Sequence, residues 1–262
     1  MRKIGFTNNS SGLKEILPKS FKIENRFQQR RMFLTMLNYT LSDAALFSKQ
    51  ELQQCHNDLL TIFKHKIMSF FPAHKLRPMK KNQTFKSISI EQSKLYIQFL
   101  KQLQDPRARY FTRYNLFDMN YRYTEKIQTP IAELIGLIFD GKNIDMMMDL
   151  DTLFKQFVYG RIKEKQKRHT VTLKDDAIFI NNDGLITRVD ARWKRIQPDK
   201  LELRSQHIND GFKHLHQDGI DHCYLIYPKY DHFERHILLR DGSKKELKII
   251  PYSFTFCNKI SA

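Results

Sequence analysis

From about Glu24 to Asp140, apolar residues recur three and four positions apart, the period of helices that bury one stripe. The stretches "RRMFLTMLNYTL" and "LFSKQELQQCHNDLLTIFKHKIMSFF" each read as helical, the second carrying a Ser48/Glu51 capping box. Pro72, Pro78 and the basic run "HKLRPMKKNQ" mark a loop, and "SIEQSKLYIQFLKQL" after it reads as a third helix. A fourth, around "PIAELIGLIF", is begun or kinked by Pro130 and stopped near Gly141.

Beyond Gly141 the period changes. "DLDTLFKQFVYGRIKEKQK" is amphipathic, with Leu150, Leu153, Phe154, Phe157, Val158 and Ile162 on one stripe, which predicts a helix lying on a flat surface. "TVTLKDDAIFI" and "GLITRVDARWKRI" alternate apolar and polar residues, and the Asp-Gly step of "NNDG" between them predicts a hairpin. A short helix at "SQHINDGFKHLHQ" opened by Ser205, a buried strand at "CYLIYP" and a closing hairpin around Asp241-Gly242 follow. The pattern divides the chain into a mainly helical region, residues 1–140, and an α/β domain, residues 141–262.

Composition adds a partner class to this outline. The chain has 262 residues, of which 41% are apolar, enough for a folded core. Its 45 Lys+Arg against 28 Asp+Glu give a net charge of +17, which favours polyanions, nucleic acid first. No apolar run approaches the ~20 residues that span a bilayer, and "MRKIGFTNNSSG" lacks a signal-peptide core, so the expectation is a soluble cytoplasmic protein without a membrane partner. Cys55, Cys223 and Cys257 form no CxxC pair and read as buried reduced thiols; His214, His216 and His222 lack the companions of a zinc site.

Candidate chemistry centres on "VDARWKR", residues 189–195. Period two places Val189, Ala191 and Trp193 on one face and Asp190, Arg192 and Lys194 on the other. Asp176 is expected in the strand paired with it. By pattern alone the two acids, flanked by Lys174 and Arg188, are equally well ordinary hairpin charges. Converging across a strand pair, however, two carboxylates repel unless a cation sits between them. Mg²⁺, or alternatively Mn²⁺, suits oxygen ligands and keeps waters that a phosphate can replace. Such an ion polarises a phosphodiester and lowers the pKa of the attacking water, while a nearby ammonium orients that water.

The stretches "MMMDLDTLFKQFVYGRIKE", "LKDDAIFI", "VDARWKR" and "SQHINDGFKHL" resemble the McrC family, nuclease subunits of modified-cytosine restriction systems that work with an AAA+ GTPase. Upstream, "ILPK", "RRMFLTMLNYTL" and "YTEKIQTPIAELIGLIF" are similar to segments that precede the nuclease domain there. The resemblance implies a PD-(D/E)xK nuclease core over residues 141–262, an α+β mixed sheet flanked by helices, with residues 1–140 making partner or DNA contacts. It implies Asp176 and Asp190 as metal ligands and Gln206 as the glutamine of the following helix.

Two positions depart from the family. Its lysine two residues after the second acid is Arg192 here, and its glutamate in the "LFE" step is Lys155. Arginine stays protonated and holds phosphate oxygens in a fork without accepting a proton, so Lys194 or Lys155 would have to supply the ammonium. The implied function is a Mg²⁺-dependent DNA endonuclease subunit of a defence system with an AAA+ GTPase or ATPase partner, dimerising where both strands are cut. The absence of a GxxxxGK[ST] loop agrees with a separate NTPase. The alternatives are a catalytically degenerate subunit that binds DNA or the NTPase on the same fold, and a stand-alone repair or transposition nuclease.

Overall fold

A computed structural model describes residues 2–9, 11–18, 25–41, 46–69, 90–109, 130–139, 141–196, 198, 206–217, 219–230, 232–240 and 245–254. The strands are β1 Lys3–Asn9, β2 Gly12–Ile16, β3 Ile144–Asp149, β4 Thr170–Lys174, β5 Ala177–Asn182, β6 Leu185–Ala191, β7 His222–Pro228, β8 Ile237–Arg240 and β9 Glu246–Tyr252. The helices are α1 Arg26–Leu37, α2 Lys49–Leu52, α3 Leu59–Ser69, α4 Ile90–Gln102, α5 Pro130–Ile138, α6 Leu150–Lys165 and α7 Gln206–Leu215. The loop at Pro72 and Pro78, the cap Ser205, the Asp241-Gly242 turn and Cys257 lie outside the described residues.

Two compact units result. One comprises residues 3–17 and 41–148, the other residues 1–2, 18–40 and 149–262. The first contains a three-stranded sheet in the order β2-β1-β3 together with α2 to α5. Its β1–β2 hairpin and β3 were not expected from the sequence. Ile4, Gly5 and Phe6 are all buried in β1, so the strand lacks the alternation that would have marked it.

In that unit the Ser48/Glu51 capping box forms, with the Glu51 backbone donating to Ser48 Oγ at 3.2 Å and the Ser48 backbone donating to Glu51 Oε2 at 2.8 Å. The helix it opens lasts one turn. The expected single long helix is split in two, because Asp58 accepts from both the backbone and the hydroxyl of Thr61, at 2.9 Å each, and starts α3 afresh. Phe63 of α3 then meets the rings of Phe6 and Phe47 at 5.7 and 5.8 Å.

The second unit is built on a six-stranded mixed sheet, order β4-β5-β6-β7-β9-β8, with helices packed against it. Strands β4, β5 and β6 form an antiparallel meander; β7 lies parallel to β6, and β9 parallel to β7. The Asp-Gly hairpin forms as read, with Asn182 paired to Leu185 around Asp183 and Gly184. The segment "TVTLKDDAIFI" is a correction: it makes two strands, β4 and β5, joined by Asp175 and Asp176 with Lys174 paired to Ala177. Both turn residues have positive φ, +47° and +64°, the left-handed geometry that a two-residue loop requires.

Helix α6 starts at Asp149, whose carboxylate accepts from the Thr152 backbone at 2.9 Å. Its stripe is the one read from the sequence. Phe154 meets Trp193 edge-on at 5.3 Å, and Phe157 meets Tyr252 at 5.9 Å. Helix α1 lies against α6, with the Tyr39 ring following α1 close enough that a Cβ at Gly160 would sit 2.3 Å from it, so glycine is required there. On the other face, Ile208, Phe212 and Leu215 of α7 share a core with Cys223, Leu225, Leu247 and Ile249. Among the described residues no helix is long and apolar enough to cross a membrane.

Candidate functional site

The antiparallel register puts the start of β5 level with the end of β6. Ile178 pairs with Val189, so one step further along the ladder Ala177 stands opposite Asp190 and the Asp175-Asp176 turn lies beside Ala191. This rim of the sheet receives both helices as well. Asp151 in the first turn of α6 accepts the Trp193 backbone N–H at 2.6 Å, and the first turn of α7 brings His207 within electrostatic reach of Arg192, Lys194 and Asp151.

Asp176 belongs to the turn rather than to a strand, which corrects the sequence reading, and its side chain is 87% exposed. Lys155, a buried residue one helical turn after Asp151, reaches it with Nζ on Asp176 Oδ1. The structure therefore joins the substituted helical lysine to the first acid.

Asp190 has a different partner and environment. Val189, Ala191 and Trp193 are buried as period two requires, and Asp190 occupies the opposite face, the one covered further along by α7. Its register partner there is Leu225. Arg188, two residues earlier on the same face, donates from Nε to Asp190 Oδ2 at 3.3 Å, and each side chain is only 13% exposed. The Arg188 guanidinium also stands over the Phe179 ring, 5.5 Å from its centre.

These charges act on their neighbours. The Cys223 thiol is pushed up to about 12 by burial, reinforced by Asp190 and opposed by Arg188. Burial likewise raises the Tyr227 phenol to about 12, with Arg192 opposing. His207 is lowered, first by burial and then by Arg192 and Lys194, so its imidazole is neutral at pH 7.

Arg192 and Lys194 are exposed beyond the end of β6, and the Lys194 backbone donates to the Arg192 carbonyl at 3.0 Å. That bond ends the straight run of the strand, so Lys194 is not simply one pleat further along it, as the alternation implied. Gln206 is exposed at the first position of α7. Three contributors escaped the sequence reading: Asp151, Arg188 and His207. The first two carry legible signals, four residues before Lys155 on a helix and two before Asp190 on a strand.

Chemically, the rim offers two carboxylates, one in the β4–β5 turn and one on β6, each engaged by a cation through one oxygen, with two guanidinium and two ammonium groups around them in all. Among the described residues no cluster of three or more His, Cys, Asp or Glu side chains forms, so any cation held here would keep several waters. The histidines at 214, 216 and 222 make no such cluster among the described residues, and Cys55 and Cys223 are buried thiols outside any disulfide there.

No family model and no curated protein matches this sequence. A solved chain from Thermococcus gammatolerans does match in three dimensions. It belongs to a half-complex refined from a tetradecameric assembly of McrB AAA+ hexamers with bound McrC, and aligns with a TM-score of 0.65 over 98% of this chain and 79% of that one. What is shared is a fold. Sequence identity is 12%, so the likeness extends to architecture and leaves the chemistry to be argued from the rim itself.

Proposed function

We propose that this chain is a Mg²⁺-dependent DNA endonuclease subunit of a restriction or defence system, acting with a partner AAA+ GTPase or ATPase. The observation that carries the reading is the order helix, three-stranded meander, helix, parallel strand, with Asp176, Asp190 and Lys155 brought to one rim of the sheet. That is the arrangement expected of a PD-(D/E)xK core. The fold shared with a chain of the McrB–McrC assembly supports the NTPase partner, and the net charge of +17 supports DNA.

The donor set fits the ion. Asp176 and Asp190 would hold the ion through hard carboxylate oxygens, and a site with two carboxylates suits Mg²⁺ or Mn²⁺, which take oxygen ligands and keep several waters. When bound, the cation supplies Lewis-acid polarisation of the phosphodiester and lowers the pKa of the attacking water. Lys155, held at Asp176 from α6, orients that water and stabilises developing negative charge. Arg192 holds a non-bridging phosphate oxygen pair in its fork, and Lys194 adds a second positive charge beside it. Gln206 contributes a neutral hydrogen-bond donor from the start of α7.

The test is cleavage of duplex DNA by the full chain with its NTPase partner, nucleotide and Mg²⁺. Wild type cuts, and Asp190→Ala and Asp176→Ala each lower the rate by about 100-fold or more. Equal cutting by Asp190→Ala would sink the proposal. One observation favours a second reading: each carboxylate already has an internal counter-ion, and Arg192 replaces the expected lysine, as in a degenerate subunit that only binds DNA or the NTPase. Intact partner binding with no cation uptake and no cleavage by wild type would establish it.

A further inference from the structure

The Asp190–Arg188 pair differs from a completed structural salt bridge in the same chain. In the other compact unit, Arg107 grips Asp105 with Nε and Nη2, each at 2.9 Å, and the Arg107 backbone N–H donates to the same carboxylate at 2.9 Å. That fork leaves the carboxylate little further capacity. Arg188 contributes only Nε, at 3.3 Å, while its guanidinium rests over Phe179. Phe179, Arg188 and Cys223 occupy one row across β5, β6 and β7, and the guanidinium is seated against the Phe179 ring in that row, outside the fork geometry.

Asp190 is 13% exposed, and a carboxylate largely withdrawn from water is favoured by a positive charge beside it. Arg188 provides that charge through Oδ2 alone, and among the described residues no hydrogen bond to the other carboxylate oxygen is formed. Around the rim stand Lys155, Arg188, Arg192 and Lys194 against Asp151, Asp176 and Asp190. A divalent ion arriving alone therefore meets a site already more than neutralised, with one of the opposing charges fixed 3.3 Å from its own ligand.

We infer that Arg188 is a positioning residue that acts as the internal counter-ion of Asp190, so that the two-carboxylate site takes a divalent cation weakly until nucleic-acid phosphates reach the rim. Phosphate oxygens engage Arg192 and Lys194 and offset their charge, and cation and DNA then bind with positive coupling. By linkage the coupling is reciprocal: the cation tightens DNA binding by the same factor. The device keeps the hydrolytic site unloaded away from its substrate. It rests on the metal reading proposed above.

The experiment is calorimetric titration of the full chain with Ca²⁺, which occupies oxygen sites, first alone and then with a short DNA duplex, for wild type, Arg188→Gln and Arg188→Lys. Without DNA, Arg188→Gln binds Ca²⁺ about tenfold more tightly than wild type, and Arg188→Lys, which keeps the charge, stays near wild type. With DNA, wild type tightens toward the Arg188→Gln value. Lys155→Met removes the counter-ion of Asp176 from a different element and carries the same expectation should Arg188→Gln fail to fold.

Equal Ca²⁺ affinity in wild type and the charge-removing variants, or equal tightening in Arg188→Gln and Arg188→Lys, overturns the inference and leaves the nuclease reading standing. Absence of Ca²⁺ uptake by every protein, with DNA as without, removes the metal site itself and this inference with it.

Discussion

The meander contains two two-residue hairpin loops that solve one backbone problem in two ways. Between β5 and β6 the loop is Asp183-Gly184, with φ of +50° and +95°; between β4 and β5 it is Asp175-Asp176, with φ of +47° and +64°. The first ends in the residue that tolerates left-handed backbone freely, and it carries a local bond from the Gly184 N–H to Asn181 Oδ1 at 3.0 Å. The second keeps a carboxylate where glycine would be easier, at a strain on the order of 1 kcal/mol. What separates them is tertiary: Asp176 meets Lys155 from α6, whereas the Asp183-Gly184 loop is exposed. A local rule is broken where a distant partner gives the offending side chain something to do.

The widest separation of the two loops comes from making them alike. Asp176→Gly restores the easier turn and removes the carboxylate. Its unfolding free energy stays within about 1 kcal/mol of wild type in a denaturant titration, because relief of backbone strain offsets the loss of an ion pair whose carboxylate side is 87% exposed. Cation uptake and DNA cleavage fall by about 100-fold or more. A variant that loses stability instead, with its cation affinity intact, would make Asp176 a structural residue.

The converse change has a smaller and purely structural effect. A Cβ at Gly184 meets open space, so Gly184→Ala is opposed by backbone conformation alone. It destabilises by about 1 kcal/mol, with cleavage by the folded protein unchanged. A loss of activity at constant fold would show that the β5–β6 loop belongs to the site too.

These loops also mark how far the sequence was legible. Asp-Gly is a strong hairpin signal and was read as one. Asp-Asp is not such a signal, so period two alone runs β4 and β5 together as one strand with Asp176 in its interior. Period two placed Val189, Ala191 and Trp193 inside and Asp190 on the opposite face, and the α6 stripe emerged intact, because burial on a sheet or helix repeats along the chain. The Lys155–Asp176 and Asp151–Trp193 contacts join residues 21 and 42 positions apart, and no local period encodes such meetings. Arg188 sat in plain view as a flanking charge, and only its row-mates Phe179 and Cys223 distinguish it from a solvated one.

The smallest expected effect is the most discriminating, since the turn holds two adjacent carboxylates. Asp175 is 78% exposed at the side chain, and it pairs with Lys174 Nζ at 3.9 Å, itself 77% exposed. A pair of that kind contributes between nothing and about 0.5 kcal/mol and is screened by salt. Asparagine tolerates φ of +47° as well as aspartate does, so Asp175→Asn removes one charge without disturbing the turn. Its stability, Ca²⁺ affinity and cleavage rate should all lie within about twofold of wild type, or about 0.4 kcal/mol. If Asp175→Asn abolished cation uptake while Asp176→Asn spared it, the assignment of the turn would have to be exchanged, and Lys155 would then hold a carboxylate with no part in the chemistry.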